Sequence, residues 1–411
     1  MNLVNGFRLE EAFSEYKNSP AAKKGISCQD CHMGKEPGMT LAKRSDPDFE
    51  KKNYAFGPAA VVGKIKFKPR KLTNHMFVGP DYSVLPPELF PLHPEAIREE
   101  SDGDDVTVDG HATIRDWIAF RKYLKASPQH EKTWGLDDDE ISEEDEENLP
   151  IPFSTFDDRE FAREIVDTNV ELLEYATKQR LKLLQNGYKL GEIKVDQKRK
   201  KDIRFKVQVK NGTDGHNAPT GFDGERLVWL YVRVLDGAGN VIYVSGDLDP
   251  NGDVRDLHSA YVHNHELPQD KNLFSLQSRF LTRNLRGGER EQVLPLNWSG
   301  SPLIYVRPET RSSVLLGRPR AARKHKVGIE PLGERWATYH VKKEKLANTT
   351  GPYKAVIQLK AAMIPVNLVN AIKGVGFDYS MSARDISQSL VAGHQVIWER
   401  EIAIDRESDH E

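Results

Sequence analysis

The spacing of apolar residues along the chain changes character once, near residue 190. Before that point the periodic stretches are helical. Leu9 to Tyr16 reads as a short helix, ended by the turn signal Asn18-Ser19-Pro20. Ile114 to Ala126 carries Trp117, Phe120 and Tyr123 at helical spacing. Asp157 to Gly187 predicts the strongest helix, because Phe161, Ile165, Leu172, Leu173, Ala176, Leu183 and Leu184 recur at three- and four-residue steps. Gly187 can stop it. Beyond it the period becomes two. Ile203, Phe205, Val207 and Val209 alternate with Arg204, Lys206, Gln208 and Lys210, the pattern of a half-buried strand. Val228, Leu230, Val232 and Val234 alternate likewise, and Val241 to Ser245 follows across a Gly-rich turn. Further strands are predicted at Glu291–Leu296, Trp336–Val341, Tyr353–Lys360 and Gln395–Ile404, with a short helix at Met363–Ile372. The expected class is α+β: residues 1–110 with little regular structure, a helical region at 111–190, and an antiparallel β-sandwich at 191–411.

A length of 411 residues suits two or three domains. With 59 basic against 62 acidic residues the net charge is −3, so no bulk field attracts nucleic acid. No run approaches the roughly 18 apolar residues that a membrane-spanning helix needs. The acidic runs Asp137–Glu140 and Glu143–Glu147 read as a solvated, poorly ordered loop. The basic clusters Lys198–Lys201 and Arg318–Lys326 read as solvated faces, although Arg323, Lys324 and Lys326 could steer an acidic redox partner.

Candidate chemistry concentrates in Cys28-Gln29-Asp30-Cys31-His32. C-x-x-C-H is the attachment signature of c-type haem: two thiols add to the vinyl groups, and the adjacent histidine becomes the proximal iron ligand. The chain's two cysteines both lie in this pentapeptide. The alternatives are a zinc site, using Cys28, Cys31 and two histidines, or a thiol-redox pair. Haem c is normally attached outside the cytoplasm, which implies a periplasmic or extracellular protein. The stretch from Met1 to Phe7 lacks the features of an export signal, so the options are a mature end, an upstream continuation, or cytoplasmic residence, which would leave the cysteines without haem.

Several segments resemble the multihaem c-type cytochromes of bacteria. Glu15-Tyr16-x-x-Ser19-Pro20 followed by Gly25-Ile26-Ser27-Cys28-Gln29-Asp30-Cys31-His32-Met33 is similar to their haem-binding segments. Asn211-Gly212-Thr213-Asp214-Gly215-His216-Asn217-Ala218-Pro219-Thr220-Gly221, with Glu225-Arg226 and Trp229-Leu230 behind it, looks like the opening of the β-sandwich appended to many of them. Two departures stand out. Members usually carry several C-x-x-C-H motifs, and often "SPH" ahead of the motif, where this chain has Ser19-Pro20-Ala21. The resemblance implies electron transfer through one covalent haem, in a subunit or module of a multihaem complex whose other subunits or redox proteins are its partners. The rivals are a haem enzyme acting on a small nitrogen or sulfur species, and an interaction module with a structural haem.

The iron needs a second axial ligand for electron transfer, or an open position for catalysis. His75 is the first candidate: it resembles the family's distal-ligand motif, and lies far enough along to return on the other haem face. Its alternative is a loop histidine. His216 is the second, on a Gly- and Pro-bearing loop at a strand end, with a structural histidine that hydrogen-bonds the turn as its alternative, and either it or His75 could serve a neighbouring haem. Met33 and Met76 are further donors. His263 and His265 would share one strand face, where a metal is the less favoured reading. Asp247, Asp249, Asn251 and Asp253 resemble the first half of a Ca²⁺ loop, with an Asp/Asn/Gly turn as the plain alternative.

Overall fold

The computed structural model describes residues 10–34, 56–58, 61–62, 65–66, 69–71, 79–80, 114–196, 202–256, 259–283, 289–292, 323–362, 365–366 and 382–404. His75, Met76 and most of the helix expected at Met363–Ile372 lie outside them. The chain divides into two units, Met1–Tyr82 with Gln179–Glu411, and Ser83–Lys178.

The first unit is built on two antiparallel sheets. The strands of these two sheets are β1 (Tyr188–Val195), β2 (Ile203–Asn211), β3 (Leu227–Leu235), β4 (Val241–Ser245), β5 (Glu334–Val341), β6 (Tyr353–Ala362) and β7 (Gln395–Ile404), beside shorter strands in smaller sheets. One sheet has the order β5-β2-β1, the other β7-β6-β3-β4. The period-two pattern explains the core. Ile203, Phe205, Val207 and Val209 point to one side of β2, and Val228, Leu230, Val232 and Val234 to one side of β3. Both sets join Tyr339, Ile357 and Leu359 in one buried cluster. Each such side chain contributes roughly 1.5–3 kcal/mol by leaving water. Register follows the alternation, with Tyr339 opposite Phe205 and Leu359 opposite Leu230.

The other side of β3 is covered as well, which simple alternation does not reveal. Leu227 and Trp229 pack there with Val254 and Ala362. The imidazole of His394 meets Trp229 edge-on, ring centres 5.3 Å apart, and the ammonium of Lys360 lies 5.5 Å from the same ring. Burial, then the Lys360 charge, pushes the pKa of His394 down to about 4. An unfolded chain protonates this histidine near its ordinary 6.5, while the folded chain resists until about 4. Stability from this site is therefore complete above pH 6.5 and is lost as pH falls toward 4, by up to about 3 kcal/mol. Urea unfolding at pH 7 and 4.5 should show a shallower acid decline for His394→Gln than for the unchanged chain. Equal declines would refute this.

The helices begin with α1 (Ala12–Lys17), α2 (Pro20–Lys23) and α3 (Cys28–His32) in the first unit. In the second, α4 (Ile114–Leu124) buries Trp117, Phe120 and Leu124. Phe120 stacks on Phe153 at 4.3 Å and meets Trp134 edge-on at 5.2 Å. The long α5 (Phe156–Gly187) starts in the second unit and ends in the first. Two members of its apolar stripe, Phe161 and Leu172, are exposed rather than core.

The acidic run is more ordered than its charge suggested. Arg159, buried, donates to Asp139 at 2.7 Å, to Glu146 at 2.9 Å and to the Phe153 carbonyl at 3.1 Å. A buried guanidinium needs such partners, so these two carboxylates are structural. Ser142 caps a single helical turn at Glu143–Glu146. The pairing expected for His263 and His265 on a strand face is corrected too: Ala260–His263 is a helical turn, and His265 follows with φ 62°.

Candidate functional site

The C-x-x-C-H pentapeptide forms one helical turn. Ser27 caps α3: its hydroxyl accepts from the Asp30 backbone N–H at 3.3 Å, while Asp30 accepts from the Ser27 backbone N–H at 2.8 Å. On a helix, positions i, i+3 and i+4 share a face, so Cys28, Cys31 and His32 are presented together. Cys28 is exposed and Cys31 partly so.

The strand-end loop brings His216 to them. Asn211, buried at the end of β2, turns its side-chain amide back into the loop. Nδ2 donates to the carbonyls of His216 (2.8 Å), Ile329 (3.0 Å) and Glu330 (3.1 Å), and Oδ1 accepts from the Thr213 N–H (2.9 Å). Gly212 is required beside it, because a Cβ there would stand 2.2 Å from the Asn186 carbonyl oxygen. The imidazole of His216 is oriented through Nδ1, which bonds the Asn217 carbonyl at 2.8 Å. With the proton on Nδ1, the Nε2 lone pair is left to coordinate.

The two imidazoles lie side by side in space, close and nearly parallel. The rings of His32 and His216 lie within 13° of parallel with centres 6.2 Å apart. By surface area His32 is exposed, since its ring opens onto a cavity. Enough protein surrounds that cavity to desolvate the ring. Burial, then the neighbouring His216, holds its pKa below the usual value, so the proximal candidate is neutral at pH 7. The cavity measures about 440 Å³ and is walled by Phe13, Tyr16, Ile26, Leu184, Tyr188 and Pro219. Arg226 adds a partly buried guanidinium, with its pKa lowered by burial. The volume falls within the roughly 300–1,000 Å³ of small-molecule and cofactor sites.

Haem c fits these residues. A metal–nitrogen bond of about 2 Å on each side, with each imidazole centre about 1 Å beyond its nitrogen, puts two ligand rings about 6 Å apart. The observed separation of 6.2 Å matches. Zinc fits less well. Among the described residues no three His, Cys, Asp or Glu side chains form a group able to hold a metal ion, so Cys28, Cys31, His32 and His216 do not make a tetrahedral set.

Other sequence candidates fall elsewhere. His75 is outside the described residues. Met33 is buried at the end of α3. In the calcium-like loop, Asp249 accepts from the backbone N–H groups of Asn251 (2.8 Å) and Asp253 (3.0 Å) and from the Ser259 hydroxyl (2.5 Å). Asp247 accepts from Arg255 at 2.6 Å. These two carboxylates brace a turn, whose Gly252 has φ 94°. Lys326, grouped by sequence with a docking cluster, instead pairs with Glu11 and Glu15. Partial burial opposes its charge, but those two carboxylates outweigh it and raise its pKa.

The "SPH" departure has a structural counterpart. Ala21 is 2% exposed, its N–H donates to the Asp214 carbonyl at 3.1 Å, and its Cβ is a neighbour of Gly215. That space is filled by the loop carrying His216.

The sequence matches no protein-family model, and no curated protein matches it. A penta-heme cytochrome c552 from Thermochromatium tepidum is similar in structure at 14% identity and a TM-score of 0.32. The likeness covers 55% of this chain and 41% of that one, so the chain spans under half of that protein's length. It is too slight to bear on function. No helix among the described residues is long and apolar enough to cross a membrane.

Proposed function

We propose that this chain is an electron-transfer protein with one covalent c-type haem, held by Cys28 and Cys31 and ligated by His32 and His216. The observation that carries the reading is the near-parallel pair of imidazoles, His32 on the attachment turn and His216 with its ring centre 6.2 Å away. Bound there, haem supplies an iron centre that gains and loses one electron. His32 and His216 would hold the iron through their imidazoles, and with both bound no position would be open to a substrate. The apolar wall of Phe13, Tyr16, Leu184 and Tyr188 keeps water from the ring faces. Arg226 is the wall's cation, suited to a carboxylate of the cofactor. Haem attachment of this type places the protein outside the cytoplasm. The resemblance of residues 15–33 and 211–230 to multihaem cytochromes supports a role as a subunit or module passing electrons to another haem protein.

The test is the visible spectrum of protein made in a host that attaches haem c. Oxidised and reduced forms are both expected to be six-coordinate and low-spin, unchanged by nitrite or hydroxylamine. A high-spin ferric spectrum that shifts on adding either compound would replace electron transfer with the enzyme reading.

A further inference from the structure

Among the bonds between the loop carrying His216 and the N-terminal helices, those nearest the imidazole go to one carboxylate. Glu15, on α1, is 8% exposed at its side chain. Its Oε1 accepts from the Asn217 side-chain amide at 2.9 Å and its Oε2 from the Thr220 hydroxyl at 2.7 Å. The Asn217 backbone N–H adds a bond at 3.3 Å, and Lys326 approaches at 3.3 Å from outside. Asn217 is the residue whose carbonyl orients the His216 ring. The next residue on α1, Tyr16, donates its hydroxyl to the Ile26 carbonyl at 2.9 Å, one position before the Ser27 cap of α3. Thus α1 grips both sides of the cavity through consecutive residues.

We propose that Glu15 is the positioning residue for the distal ligand, fixing the His216 imidazole at ligating distance from an iron held by His32. This rests on the haem reading above. Glu15 does not touch the metal; it acts through Asn217 and Thr220. A carboxylate is suited to this because its two oxygens accept several donors at once, and charge-assisted bonds are the stronger kind. Alanine removes all four interactions. Glutamine keeps the shape but leaves one acceptor oxygen and turns an N–H₂ toward donors. In either variant His216 spends more time off the iron, and external ligands enter through that dissociated state.

The experiment uses the full haem-loaded chain and follows the ferric spectrum and the rate of cyanide binding at pH 7. His216→Ala is the reference for lost ligation, and Lys24→Ala breaks a different bridge to the same loop, Lys24 to Asp214 at 2.9 Å. Glu15→Ala is expected to show a mixed-spin ferric spectrum and to bind cyanide at least about tenfold faster than the unchanged protein, the change that loss of one charge-assisted bond gives. Glu15→Gln should lie between them, and Lys24→Ala within about twofold of the unchanged rate, as an exposed pair contributes little. If Glu15→Ala fails to fold, Glu15→Gln decides alone. Unchanged spin and rate in the Glu15 variants, with His216→Ala high-spin, overturn the positioning role and leave the haem reading intact. An equal acceleration by Lys24→Ala overturns it as well, because general docking would then be at work. A low-spin His216→Ala overturns the positioning role together with His216 as the distal ligand, and leaves the covalent haem standing.

Discussion

Protein carrying Cys28→Ser with Cys31→Ser is expected to lose all its haem on denaturation, whereas the unchanged chain keeps its haem through a denaturing gel. Axial bonds from imidazoles release the cofactor once the fold is gone. Thioether bonds do not, and the chain's two cysteines are the thiols available to make them. The helical turn makes the effect close to all-or-none, since Cys28 and Cys31 share a face with His32 and both must reach the same porphyrin edge. Peroxidase-type staining of the gel and the intact mass report it directly. An unchanged chain whose mass is that of the bare polypeptide, with bound zinc, would contradict the assignment of the motif.

The second large effect concerns His216. An electron carrier gains from two strong-field ligands, because a six-coordinate low-spin iron changes its bond lengths little on reduction. Removing the distal imidazole should therefore change spin state, not merely potential. The substitution His216→Ala is a clean probe of this. Asn211 holds the loop through the main-chain carbonyl of residue 216, and Glu15 through Asn217 and Thr220, so neither grip uses the imidazole. The side chain's own bond to the Asn217 carbonyl contributes about 1 kcal/mol. The fold should survive its loss.

Much of the fold was legible because its signals are local. Strict alternation located β2, and the start and end of β4 and β7 fall where turn residues place them. The strand β1 was not separately legible: its Tyr-Lys-Leu-Gly-Glu-Ile-Lys-Val has Gly191 mid-strand, and its pairing with β2 carries an irregularity between Leu190 and Ile193. The helix at Ala383–Ala392 was also missed, although Ser382 and Asp385 form a capping box at its start. The attachment motif was legible because covalent chemistry fixes its spacing. The proximity of His216 to His32 was not. It depends on where a loop far along the chain folds back, and that is set by Asn211, Glu15 and Gly212 through contacts with no periodic signature. Glu15 and Asn211 stood in quoted motifs, yet a polar residue in a motif does not announce whether it ligates or positions.

The most direct test of the account compares the ferric spectra of two full-length variants, His216→Ala and His75→Ala, each loaded with covalent haem. The account predicts that His216→Ala becomes high-spin and His75→Ala stays low-spin, indistinguishable from the unchanged protein. A low-spin His216→Ala beside a high-spin His75→Ala would contradict it, and would give the distal position to His75.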